Sequence, residues 1–169
     1  MSTLSVDTIQ GKSTAGTVAM PSGHVVQVLS TTKTDDFSTT STSYTDITGL
    51  SVAITPKFSS SKILVSWVVN GSNYGSGMTL QLLRDSTIIG SGTGTGTAAG
   101  ATGLSYPGNF SATTETHANQ FLDSPSTTSA TTYKIQTRRN TSSGTTYVNR
   151  DSDGTAKASS TITVMEIKQ

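Results

Sequence analysis

The chain has 169 residues, a formal net charge of +1, 12% charged residues and no cysteine. Those figures exclude a disulfide framework, a thiolate metal site and a thiol nucleophile. The 11 basic residues are scattered apart from Arg138-Arg139, so the basic stripe that nucleic-acid phosphates demand is missing.

Apolar runs are only a few residues long, so no segment is expected to insert into a membrane. Residues 1–7 lack the basic region and apolar stretch of a signal peptide, and an export leader is not expected. The chain holds 27 serines and 33 threonines, over a third of all residues, against 33 Leu, Ile, Val and Phe together. So few large apolar groups predict a folded domain with a thin core, because the high net charge of a disordered chain is absent. A low-charge, Thr-rich β protein gains by burying leftover apolar surface and strand edges against copies of itself. Self-association is expected on composition alone.

Residues 1–22 alternate Leu4, Val6 and Ile9 and then run into a polar, Gly-containing stretch. They read as an extended arm that docks elsewhere, ahead of one domain over 23–169. Helical periodicity is absent beyond that point, and short Val-, Ile-, Thr- and Tyr-rich runs recur between turn residues. Strands are predicted over 24–30, 39–48, 50–55 and 62–70. The run over 62–70 sets Ile63, Val65, Trp67 and Val69 on one face and Leu64 and Val68 on the other, so that strand should be central. A hairpin joins 78–84 to 87–89 through Asp85-Ser86. A low-complexity loop over 90–103 follows, and further strands are predicted over 119–122, 131–138, 145–149 and 161–167. About nine short strands are the pattern of an all-β, jelly-roll-like antiparallel sandwich. Its core should include Val26, Val28, Ile63, Val65, Trp67, Leu80, Leu82, Tyr133, Ile135, Ile162 and Val164.

Several segments lie in order along nearly the whole chain: LSVDTIQGK at 4–12, VVQV at 25–28, STTKTD at 30–35, TGLSV at 48–52 and SSKILV at 60–65. FLDSP at 121–125, TTYK at 131–134 and STITVMEI at 160–167 continue the series. Together they resemble segments of small structural proteins of tailed phages, particularly marine ones. The resemblance implies a virion protein made in the host cytoplasm, assembled as a homotrimer with other phage proteins. It implies a tail fibre or knob meeting a host glycan or protein, or alternatively a capsid decoration or head-fibre protein. Residues 71–120 match this pattern least.

Chemical motifs are sparse. His24 and His117 have no companions at metal-ligand spacing. A threefold ring of His24 is one metal arrangement open to the sequence, and an ordinary strand-edge histidine is the preferred reading. Residues 149–154 imitate the start of a calcium loop through Asp151, Asp153 and Gly154, yet Ser160 stands where the bidentate Glu belongs. A polar hairpin turn is expected there, and Asp35, Asp36 and Asp123 also read as turn residues. No G-x-S-x-G elbow, phosphate loop or distinctive carboxylate pair occurs, so neither catalysis nor a cofactor is expected. A polysaccharide-cleaving enzyme is the remote alternative.

The aromatics Tyr74, Tyr106 and Phe110 stand in a polar, Gly-rich context suited to stacking on sugars or protein surfaces. Arg138, Arg139 and Arg150, with Tyr147, offer a basic surface for an acidic polysaccharide. Tyr74, Tyr106, Phe110, Arg138, Arg139 and Tyr147 are therefore the candidate receptor-binding residues. Loop anchoring and solvated hairpin ends are the competing readings.

Overall fold

The computed structural model describes residues 21–94, 100–104 and 113–169. The arm positions Leu4, Val6 and Ile9 and the aromatics Tyr106 and Phe110 lie outside these residues. The described residues form strands only: β1 (Val25–Lys33), β2 (Phe37–Thr39), β3 (Thr45–Ile54), β4 (Lys62–Tyr74), β5 (Met78–Arg84) and β6 (Thr87–Ile89), followed by β7 (Gly103–Leu104), β8 (Glu115–Asp123), β9 (Thr131–Arg139), β10 (Thr145–Val148) and β11 (Ser160–Ile167).

Their pairing is nested. β1 pairs with β11, β2 with β10, β3 with β9, β4 with β8 and β5 with β7, all antiparallel. Each strand thus meets its counterpart counted from the other end, as in one long hairpin. Rolled up, that hairpin distributes its pairs between two facing sheets, which is the jelly roll. The first sheet runs β1-β11-β4-β8, with β10 and β2 beside the far end of β4. The second runs β3-β9-β5, with β6 and β7 sharing the outer side of β5.

The apolar interior lies between the sheets. Ile63, Val65, Trp67 and Val69 of β4 and Ile162 and Val164 of β11 face Leu80 and Leu82 of β5 and Tyr133 and Ile135 of β9. Ile47, Leu50, Val52 and Ile54 of β3 complete it. β4 is central because β11 and β8 flank it, and its outward positions are only half-buried.

Three expectations are corrected here. Val28 is 52% exposed and outside the core. The register of β1 against β11 shifts between Val25 and Gln27, and the extra residue turns Val28 outward; Val26 is only half-buried. Asp123 is a buried acceptor at the end of β8 rather than a turn residue: Arg84 Nη1 donates to both its oxygens at 2.9 Å and the Tyr133 hydroxyl donates at 2.7 Å. The expected break at Thr48-Gly49 is a register shift inside one strand, β3.

A second buried carboxylate fastens the segment after β3. Glu166 of β11 is fully buried and accepts from Gln27 Nε2 at 2.6 Å and from the backbone N–H groups of Lys57 and Phe58 at 2.8 and 3.3 Å. Burial alone would raise its pKa. The hydrogen bonds from Gln27 and those two N–H groups help outweigh burial and hold it below the ordinary value of 4.5. A carboxyl whose pKa is depressed on folding stabilises the native state above its unfolded pKa, and that contribution fades as pH falls through the folded value. Stability of the wild type should therefore decline as the solution is acidified below the ordinary glutamate range. In Glu166→Gln that decline should be shallower, from a lower starting stability. Denaturant titrations of both proteins from neutral pH to about pH 3 measure it, and parallel profiles would remove Glu166 from the acid sensitivity.

Candidate functional site

The far end of the sandwich gathers part of the predicted set. β4 runs past Asn70 so that residues 71–74 pair with β10. A Cβ on Gly71 would lie 2.4 Å from the Tyr147 carbonyl oxygen and 2.5 Å from Met78 Cε, so the close approach of these strands requires glycine there. Gly144 has φ near +92°, and a Cβ on it would fall 2.2 Å from the Tyr74 carbonyl oxygen. The turn after β9 is thereby pressed onto the end of β4.

Hydrogen bonds lock that closure. The single Thr141 hydroxyl hydrogen is shared between the Gly75 carbonyl at 3.1 Å and that of Ser143 at 2.7 Å. The Asn140 N–H is shared between the Gly77 carbonyl at 2.9 Å and Ser76 Oγ at 3.1 Å. Arg139 Nη1 donates to the Gly144 carbonyl at 3.1 Å. Tyr74 stands at the rim of this closure, 59% exposed. Tyr74 and Arg139 are thus brought to one end of the domain on a firmly held backbone.

The other described members sit elsewhere. Neighbouring residues on a strand point to opposite faces, and Arg138 accordingly lies on the outer face of the second sheet. Its guanidinium covers the Tyr44 ring at 4.8 Å, and Nη1 donates to the Thr42 carbonyl at 3.2 Å. Tyr147 is half-buried on β10, its ring 4.7 Å from the Arg150 guanidinium. Arg150 in turn donates to the carbonyls of Asp151 and Ser152 at 2.9 and 3.1 Å. Each cation–π pair engages one ring face, and Arg138 uses one N–H and Arg150 two on backbone carbonyls. The predicted residues therefore divide into the Tyr74–Arg139 end, the Arg138–Tyr44 stack and the Tyr147–Arg150 stack.

Residues 149–154 form a self-capped turn. Asp151 Oδ2 accepts the Thr155 hydroxyl at 2.9 Å and the Ala156 N–H at 3.0 Å. Asn149, at φ 63°, donates through Nδ2 to the carbonyls of Lys33 and Asp35 and accepts from Ser160 Oγ at 2.6 Å. This is the polar turn expected from the sequence, and Ser160 serves as its anchor. Among the described residues, no cluster of three or more His, Asp or Glu side chains is placed to hold a metal ion. His117 is half-buried on β8 with Nε2 3.6 Å from Glu115; burial lowers its pKa, and the Glu115 carboxylate opposes that shift.

Sequence reasoning missed the buried polar anchors. Lys33 at the end of β1 has its ammonium out of solvent and paired with Asp35 at 2.6 Å. Asp123 and Glu166 are also buried and charged, and their partners come from distant segments of the chain. The sequence signal was only a charged residue within or just past a predicted strand.

These strands and turns define a jelly-roll domain. No protein-family model matches the sequence, and no curated protein does. Among solved structures, chains of infectious bursal disease virus, Gx and Gt strains, are similar to this one with TM-scores of 0.41 and 0.42 at 14% identity. They cover 99% and 100% of this chain and 44% and 43% of their own. A mutant VP2 protein of the same virus, from derived T=1 particles, has a TM-score of 0.43 at 13% identity over 98% of this chain and 40% of its own. The chain spans less than half the length of these viral proteins. Likenesses this distant fix no shared function, and the architecture stands on the strand pairing itself.

Proposed function

We propose that this chain is a virion structural protein of a tailed phage: a homotrimeric jelly-roll knob of a short tail fibre. In this reading residues 1–22 dock on the particle and the outward loops meet the host surface. One observation carries it. The resembling segments among the described residues fall on β1, β3, the start of β4, the end of β8, the start of β9 and β11, which are strands of both sheets. The stretch that matches least, 71–120, contains the Tyr74 rim together with β5, β6, β7 and most of β8. A frame that carries the resemblance, with the Tyr74 rim outside it, suits display of a binding surface.

Binding of this kind needs no deep pocket. Three weak sites presented together gain on the order of 10²–10⁴ in avidity over one. The protein acts as a binding element, so purified protein should release no reducing ends from host polysaccharide.

Labelled copies imaged on intact particles test the placement: label at the tail supports the fibre reading, and label over the head contradicts it in favour of shell decoration. Deletion of residues 1–22 should leave the oligomer folded, with unchanged melting, while incorporation into particles is lost. Normal incorporation of the truncated chain would remove the docking role from the arm.

A further inference from the structure

The outer face of the second sheet carries a hollow made by an irregular strand. Between the pairs Asp46–Gln136 and Ser51–Lys134, residues 47–50 of β3 stand opposite Ile135 alone. The extra residues arch out of the strand as a wide bulge. Its two feet, Ile47 and Leu50, are buried in the core, and Thr48 and Gly49 form the exposed crest. Gly49 takes φ +83° there, a conformation that favours glycine. Two core side chains therefore hold the crest from below.

Beside the crest lies a depression of about 380 Å³, lined by Asp46, Thr48, Ser51, Thr132 and Lys134. Asp46 is fixed from two directions: Lys134 Nζ donates to Oδ2 at 2.9 Å and Gln136 Nε2 donates to Oδ1 at 2.7 Å. Burial would raise its pKa, but those two contacts and the lysine charge hold it below the ordinary aspartate value. The side chain keeps 51% exposure, so both oxygens retain lone pairs open to the hollow. Lys134 uses one N–H on Asp46 and has two more to give. The hydroxyls of Thr48, Ser51 and Thr132 make no hydrogen bond to another described residue.

This chemistry narrows the ligand. The two charges are paired, so no net field draws in a free ion. The large aliphatic residue of the lining, Ile47, is turned into the core, so an apolar ligand gains little. What remains is a fixed carboxylate, an ammonium and three small hydroxyls around a space in the lower range of small-ligand sites. A ring bearing several hydroxyls matches that set, since it donates and accepts at fixed spacing. An acidic ring would meet the Asp46 carboxylate and be disfavoured.

We infer that this hollow binds a neutral pyranoside of a host-surface glycan, Asp46 accepting from vicinal hydroxyls and Lys134 donating to a sugar oxygen. The inference rests on the display reading for the source of the sugar, and it adds the flank of the sandwich to the contact surface. Lys134, Gln136 and Arg138 alternate along β9 and share this face. Further units of a longer glycan therefore run along polar side chains toward the Arg138–Tyr44 stack.

Amide NMR of the full chain tests it, with methyl glycosides of glucose, galactose, mannose and N-acetylglucosamine as probes and N-acetylneuraminic acid as the acidic comparison. At least one neutral glycoside should shift the amides of residues 46–51 and 132–136, saturating in the millimolar range. Asp46→Asn should weaken that glycoside about tenfold, because a charge-assisted acceptor is lost. Asp36→Asn, whose carboxylate pairs with Lys157, should bind as the wild type does. A dispersed amide spectrum verifies folding, and if Asp46→Asn lacks one, Ser51→Ala, exposed and outside the ion pair, takes its place with weakened binding expected. The inference is overturned by four neutral glycosides that leave these amides unmoved, by tighter binding of the acidic sugar, or by unchanged affinity in the folded variant. Shifts confined to the Tyr74–Arg139 end overturn this site and leave the display reading standing. Label over the head of the particle removes the display reading, whereas the sugar affinity of the isolated chain is measured independently of it.

Discussion

Trp67→Ala should cost about 3–5 kcal/mol of unfolding free energy, the range for truncating a buried large aromatic. Trp67 is 2% exposed on the inner face of β4, at the middle of the strand that β11 and β8 flank. Its ring also backs Gly103 of β7: a Cβ on that glycine would lie 3.1 Å from Trp67 Cη2. The indole therefore fills the space where the long connection returns to the sandwich. Few other residues are available to close the cavity in a chain so poor in large apolar groups. Against a typical total of about 5–15 kcal/mol, such a loss leaves much of the protein unfolded or close to it. Thermal melting should fall by about 6–20 °C, and Trp67→Phe by clearly less. Unchanged melting of the alanine variant would show that the indole does not support the core.

Asp123→Ala is the second large effect, expected at about 3 kcal/mol because it strands the buried Tyr133 hydroxyl and a guanidinium that is only 26% exposed. The carboxylate, 5% exposed, joins β8 of the first sheet to β5 and β9 of the second through Arg84 and the Tyr133 hydroxyl. Tyr133 responds to the same surroundings. Burial and then the adjacent carboxylate raise its pKa far above the usual tyrosine value, so the hydroxyl remains a donor throughout the physiological range. Tyr133→Phe removes one hydrogen bond and leaves Arg84 on the carboxylate; it should cost roughly 0.5–1.5 kcal/mol. The ranking is the prediction: alanine at 123 far worse than phenylalanine at 133, read from denaturant midpoints at neutral pH. Equal small losses would place the clip outside the stability of the sandwich.

Much of the frame was legible because alternation is a local signal. The runs now seen as β5 and β6 were bounded correctly by their Gly, Asp and Ser flanks, and the double-faced pattern of 62–70 placed β4 at the centre. β2 and β7 escaped notice because two or three residues carry no period. They exist only because β10 and β5 offer them partners. The far end of β4 was likewise invisible, since Gly, Ser and Asn enter a strand there through pairing with β10 rather than propensity. Val28 failed for a different reason. A single extra residue in β1 inverts every side chain beyond it, and no feature of VVQV announces a bulge. Of the candidate binding residues, the sequence identified types suited to recognition but not their grouping, because Arg138 and Arg139 are divided by the strand itself and the stacks on Tyr44 and Tyr147 depend on tertiary register.

A chain with this thin an interior should complete itself against its own copies. Sedimentation equilibrium of the purified full-length chain at micromolar concentration addresses that directly, without any assumption about host or particle. The expected result is the mass of three chains, with no monomer at that concentration. A compact, thermally stable species with the mass of one chain would contradict it.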